Sequence, residues 1–188
     1  MQRQLVLRAQ AGDHDAFSLL ARASFPRLHG VARLILRDSE RAQDAVQETL
    51  VQAWSHVRAL RDPDAWDAWL NRLTVRACYR LARQVKRRDE VELHVMPDLE
   101  PSMPGGDLST SLAERDRMDR VIGLLPLDQR TVLVLHFYLD LPLTDVADVL
   151  GIPVGTAKSR LHRGLETLRV ALAAEAPVPI SRVRERSA

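Results

Sequence analysis

Disulfide chemistry is closed to this chain, which has one cysteine, Cys78, in 188 residues. A single thiol excludes an intramolecular disulfide framework and a cysteine-rich zinc site. Aromatic residues make up only 4%, and the Tyr/Phe/Thr-rich runs of an all-β protein are missing. No apolar run approaches the roughly 20 residues of a membrane span. "MQRQLVLRAQ" lacks the long apolar core of a secretory signal. The expected setting is therefore soluble and cytoplasmic, without membrane insertion. There is no GxSxG, no HExxH and no phosphate-cradling glycine loop. Six histidines, at 14, 29, 56, 94, 136 and 162, are scattered along the chain. Neither an enzymatic activity, a metal nor a cofactor is expected.

What is present is helical. The chain is 46% apolar, and Leu, Val and Ala recur at spacings of three and four. Phe17, Leu20, Leu28, Val31 and Ile35 mark one helix from Asp13 to about Arg37, which Pro26 can kink or divide. Asp38 or Ser39 can cap a second helix, with Val46, Leu50, Ala53, Trp54 and Val57 on its apolar face. "RALRDPDA" reads as a loop, and a third helix runs from about Asp64 to Arg88. Residues 94–111 hold three prolines, two adjacent glycines and no Lys or Arg, which marks a flexible acidic tether. Periodicity returns at Leu112–Leu125, breaks at Pro126 and resumes from Asp128 to Leu139. The expected fold is all-α: a first domain over 1–92, a linker over 93–112, a second domain over 113–174 and a loose basic tail over 175–188.

Charge is almost balanced, with 27 Lys/Arg against 25 Asp/Glu, but it is unevenly placed. Residues 1–92 carry 16 basic against 12 acidic side chains, and residues 93–113 carry none against three. On the third helix Arg72, Arg76, Arg80, Arg83 and Arg87 fall on one strip, opposite Leu70, Leu73, Ala77, Leu81 and Val85. Like charges so placed repel, and a polyanion relieves that repulsion while counterion release adds affinity. Trp69 and Tyr79 flank the strip, where flat rings can stack on unpaired bases. A plain solvated face is the alternative. Cys78 beside the apolar face reads as a buried small hydrophobe. On the second helix Asp44, Gln47, Glu48 and Gln52 share a polar face, either a docking surface for a basic partner or simply a solvated one.

"PLTDVADVLGIPVGTAKSRLHRG" carries a helix–turn–helix pattern. Thr144 can cap a short helix over Asp145–Leu150. Gly151 suits a left-handed helix end, and Pro153 is tolerated in the first turn of the next helix, which reaches about Leu172. Ala157, Leu161, Gly164, Leu165, Leu168 and Leu172 share the side that faces a core. Thr156, Lys158, Ser159, Arg160, His162 and Arg163 lie in the opening turns, the part of a recognition helix that enters the major groove.

The ordered set "DSERAQDAVQETLVQAW", "DAWDAWLNRLTVRACYRLARQVKRR", a short linker and "GLLPLDQRTVLVLHFYLDLPLTDVADVLGIPVGTAKSRLHRG" resembles the bacterial sigma factors of the extracytoplasmic-function group, over roughly residues 5–172. The resemblance implies a promoter-specificity subunit of RNA polymerase. Asp44, Gln47 and Glu48 would dock on the clamp helices of the β′ subunit. The loop 58–65 and Trp69, Arg72, Arg76, Arg80 and Arg83 would engage the minus-ten element. The second domain would sit on the β-subunit flap and read the minus-thirty-five element through the recognition helix. The linker would run through the RNA channel. The family often has Ala-Arg-Asn where this chain has Thr74-Val75-Arg76, so minus-ten specificity can differ here. An anti-sigma inhibitor is an expected partner. A stand-alone helix–turn–helix regulator is the rival reading; such proteins usually dimerise. No dimerisation helix is evident, which favours a monomer or a heterocomplex.

Overall fold

The computed structural model describes residues 1–91, 118 and 120–174, and every regular element among them is helical. The linker 93–112, the tail 175–188 and the side chains of Val85 and Arg87 lie outside the described residues.

Helix α1 spans Gln2–Gln10 and α2 spans His14–Leu36. Asp13 starts α2: its carboxylate accepts from the Ala16 N–H at 3.0 Å. Pro26 does not divide α2. Proline removes one N–H, and with Pro26 and Arg22 both exposed, the orphaned carbonyl one turn back lies on the solvent side. Arg37 ends α2 in the left-handed region, at φ 58°. Asp38, rather than Ser39, caps α3 (Ser39–His56) by accepting from the Arg41 N–H at 2.9 Å. Two 3₁₀ turns, Val57–Ala59 and Pro63–Ala65, make up most of the loop before α4, Trp66–Val91.

Trp66 is fully buried at the head of α4 and donates its indole N–H to Ser24 Oγ at 3.3 Å. Leu28, Ile35, Val46 and Leu70 belong to the same buried cluster. Buried Thr49 and Thr74 return their hydroxyls to carbonyls one turn back, Ala45 and Leu70, so neither leaves an unmet polar atom in the core.

Residues 120–123 end a helical stretch that leads into the second unit. Helix α5 spans Leu127–Leu133 and continues as a π-helical stretch, Val134–Tyr138. Helix α6 spans Leu143–Leu150 and α7 spans Val154–Ala174. Gly151 takes φ 65°, the left-handed conformation the turn between them needs.

Two expectations for this unit fail. Thr144 does not cap α6. Pro142, in extended conformation, opens that helix through its carbonyl, which accepts from Val146 N–H at 3.0 Å, while the Thr144 hydroxyl bonds Asp145 at 3.1 Å. Nor does Leu165 join the core. Gly164 is pressed against Leu133, and its neighbour Leu165 stays 42% exposed at the rim of an apolar cavity.

Candidate nucleic-acid interface

Arg72, Arg76, Arg80 and Arg83 all stand exposed on α4, with Leu70, Ala77 and Cys78 buried on the far side. Burial pushes the Cys78 thiol up to about 12, so it is inert packing at neutral pH. Two contacts from α2 set the rotation of α4. Arg27 donates to Asn71 Oδ1 and pairs with Asp67 at 2.6 Å. Residues so far apart in sequence give no periodic signal, and these anchors were not foreseen.

The acidic and basic faces of the first unit meet. Arg80 forms an ion pair with Glu48 of α3, and Glu48 also accepts from Gln52 Nε2 at 3.1 Å. Asp44 and Gln47 remain exposed on the same helix. The loop at 57–65 is strapped down by α1. Gln10 donates to the carbonyls of Val57 and Leu60, and Arg3 pairs with Asp64.

The two rings beside the stripe are not free plates. Trp69 is half-buried, with its ring 5.6 Å from Trp66. Tyr79 donates its hydroxyl to Asp128 Oδ1, on α5, at 2.9 Å. Burial pushes the Tyr79 phenol up to about 12, so it remains a donor at neutral pH.

On α7 the structure separates the residues expected to read DNA. Lys158, His162 and Arg163 project into solvent. Thr156 and Ser159 are half-buried, and the Ser159 hydroxyl bonds the Thr156 carbonyl at 2.9 Å. Arg160 turns back to Asp128, its guanidinium 2.7 Å from Oδ2. One carboxylate therefore holds both Tyr79 and Arg160.

Two cavities adjoin these helices. One, of about 670 Å³, is walled by Arg76, Arg80 and Arg83 of α4 on one side and by Asp148, Leu150 and Gly151 at the end of α6 on the other. The second, of about 350 Å³, is apolar; Leu34 and Met118 border it, with exposed Phe137, Tyr138 and Leu165. Neither was foreseen, because each is assembled from separate elements. Among the described residues no group of three or more His, Cys, Asp or Glu could hold a metal ion, and no helix is long and apolar enough to cross a membrane.

Comparison with known proteins agrees with this geometry. Residues 20–88 match the family model "Sigma-70 region 2", and residues 115–168 match "Sigma-70, region 4". The ECF RNA polymerase sigma factor SigM of Mycobacterium tuberculosis is 32% identical over 160 residues, covering 85% of this chain and 79% of that protein. SigW of Bacillus subtilis, also named an ECF RNA polymerase sigma factor, is 26% identical over 179 residues, covering 90% and 95%. The structure of CnrH in complex with the cytosolic domain of CnrY superposes with a TM-score of 0.69 at 25% identity, covering 93% of this chain and 99% of that one. Two sigma-70 regions in order, with a basic helix exposed in each, place this chain in the extracytoplasmic-function group of RNA polymerase sigma factors.

Proposed function

We infer that this sigma factor contacts its promoter through two separate helices while α3 holds core polymerase. The observation that carries this reading is the exposure of two basic faces, Arg72–Arg76–Arg83 on α4 and Lys158–His162–Arg163 on α7, on different units of one chain. Arginine and lysine at a groove either hold phosphates or read guanine edges. The α4 stripe, with the strapped loop at 57–65, engages the minus-ten element. The opening turns of α7 read the minus-thirty-five element. Asp44 and Gln47, exposed, and Glu48, which must exchange Arg80 for a partner, supply the face for the β′ clamp helices. The apolar cavity beside Phe137 and Tyr138 supplies a seat for the β flap. The chain performs no catalysis of its own and works in the cytoplasm, where polymerase is, with an anti-sigma protein as a partner that withholds it.

The test is co-purification with core polymerase, followed by transcription from a promoter library. Stimulated transcription is expected. Asp44→Arg should leave the fold intact and abolish capture by core. Capture of that variant at wild-type level removes the docking role of this face, and silence on every promoter removes the function.

A further inference from the structure

Where α2 meets the second unit, the apolar cavity of about 350 Å³ is walled by Leu34 on one side and by Ile122, Leu125, Val134 and Leu168 on the other. Tyr138 stands against α2 at one edge: a β-carbon at Gly30 would collide with its hydroxyl. Phe137, Tyr138 and Leu165 stay exposed at the rim, so the cavity opens to solvent. Its volume falls in the range of small-ligand pockets.

One charged residue lines this apolar space. Arg130 borders the cavity, and its Nε is buried without a hydrogen-bond partner among the described residues. A second guanidinium stands close by. Burial first, and then the charge of Arg37, disfavour the Arg130 cation. A β-carbon at Gly123 would collide with the Arg37 guanidinium, which therefore lies against the residue next to Ile122 of the wall. Among the described residues neither arginine pairs with a carboxylate. Two like charges facing each other, one of them desolvated, are costly without an anion. A single carboxylate accepting from both would relieve the desolvation and the repulsion together.

The space next to that anion site is apolar, so the anion needs a hydrocarbon body. At about 30 Å³ per non-hydrogen group, close to water's share of liquid volume, the cavity takes about twelve such groups. We propose that it binds a single-chain carboxylate of about ten carbons, with the head between Arg130 and Arg37 and the chain among the aliphatic side chains of the wall. Guanidinium suits a carboxylate through paired N–H donation, and each buried methylene adds affinity. Occupied, the cavity is closed to the β flap assigned to it above. The ligand site stands on the geometry; the exclusion of the flap rests on that assignment.

The experiment is calorimetric titration of the full chain with decanoate, hexanoate, hexadecanoate and decanol. Decanoate is expected to bind. Hexanoate, four methylenes shorter, should bind about a hundredfold more weakly, and hexadecanoate no more tightly than decanoate, because the cavity ends. Decanol, which keeps the chain and loses the charge, should bind about tenfold more weakly or worse. Arg130→Met keeps an unbranched apolar stem; it should cost decanoate about tenfold or more and decanol nothing. Leu168→Trp fills the cavity and should abolish binding of both. Thermal unfolding without ligand checks that each variant is folded, and if Leu168→Trp is not, Arg130→Met still decides. No binding by wild type, decanol as tight as decanoate, or unchanged decanoate binding in either folded variant overturns the site. Phosphatidylglycerol vesicles, which offer the chain only within a two-chain lipid, should not displace decanoate, and displacement overturns the single-chain assignment. Transcription by the wild-type holoenzyme should fall with a midpoint at the calorimetric Kd. Binding without that fall overturns the flap seat and leaves the ligand site standing.

Discussion

Helices α4 and α7 both present arginine to solvent, yet they are supported in opposite ways. Along α4, Trp66, Leu70, Val75, Ala77 and Cys78 are all buried, and Arg27 fixes its rotation from a neighbouring helix. Along α7, Ala157 and Gly164 are buried, while Leu161, Leu168 and Leu172 are only half-covered. The first basic face is the outside of a structural beam; the second is carried on a lightly seated rod. On the proposed assignment, stability and nucleic-acid contact are therefore entangled in α4 and separable in α7.

The largest effect that sharpens this contrast is Trp66→Ala. It should cost about 3–5 kcal/mol, as emptying a large aromatic site does, and a denaturant titration of the full chain reads it. A loss below about 1 kcal/mol would mean α4 is not the beam. Arg163→Ala is the counterpart on α7. It should weaken minus-thirty-five duplex binding by about 1–3 kcal/mol if the side chain is bidentate to a base, and by less if it holds only phosphate. Its unfolding midpoint should stay at the wild-type value, and a shifted midpoint breaks the claim of separability. Gly151→Ala comes next, at about 1 kcal/mol of stability, measured by thermal unfolding. No atom lies within 4 Å of the added carbon, so the cost is the left-handed backbone alone.

Smaller still is the acid limb. The Ala16 N–H, and then Arg8, hold the Asp13 carboxyl below its ordinary 3.8. A lowered folded-state value stabilises above pH 3.8 and fades as pH falls through the lowered value. Asp13→Asn should therefore remove a small part of the stability lost in strong acid, seen as a shallower fall of melting temperature with pH. An unchanged acid limb would show that this cap is not what titrates.

Much of the helical layout was legible because apolar spacing and capping chemistry are local. The start of α2 near Asp13, a cap at Asp38 or Ser39, the buried face of α4 and the left-handed Gly151 all follow from residues within a turn of one another. The outward projection of Lys158, His162 and Arg163 follows from the same wheel. What escaped depends on distance in sequence. Arg27 reaching Asn71, Arg80 taking Glu48, and Asp128 holding Tyr79 and Arg160 together all join elements that no periodicity connects. The start of α6 was misplaced for a local reason: Thr144 looked like a cap, but Pro142 had already turned the chain. A helical glycine at 30 was the one visible hint that another element presses on α2.

The π stretch at Val134–Tyr138 acts as a phase shifter. Its wider turn, closed by the bond from Leu139 N–H to the Val134 carbonyl at 3.4 Å, lets Val134 and Leu135 stay inside while Phe137 and Tyr138 swing out. Deleting one residue there would return the segment to ordinary helical winding and carry Tyr138 about 100° around the axis, off its seat on Gly30. The short connection at 139–142 can take up the lost length. A single-residue change in winding would thereby remove one of the contacts that join the two halves of the molecule.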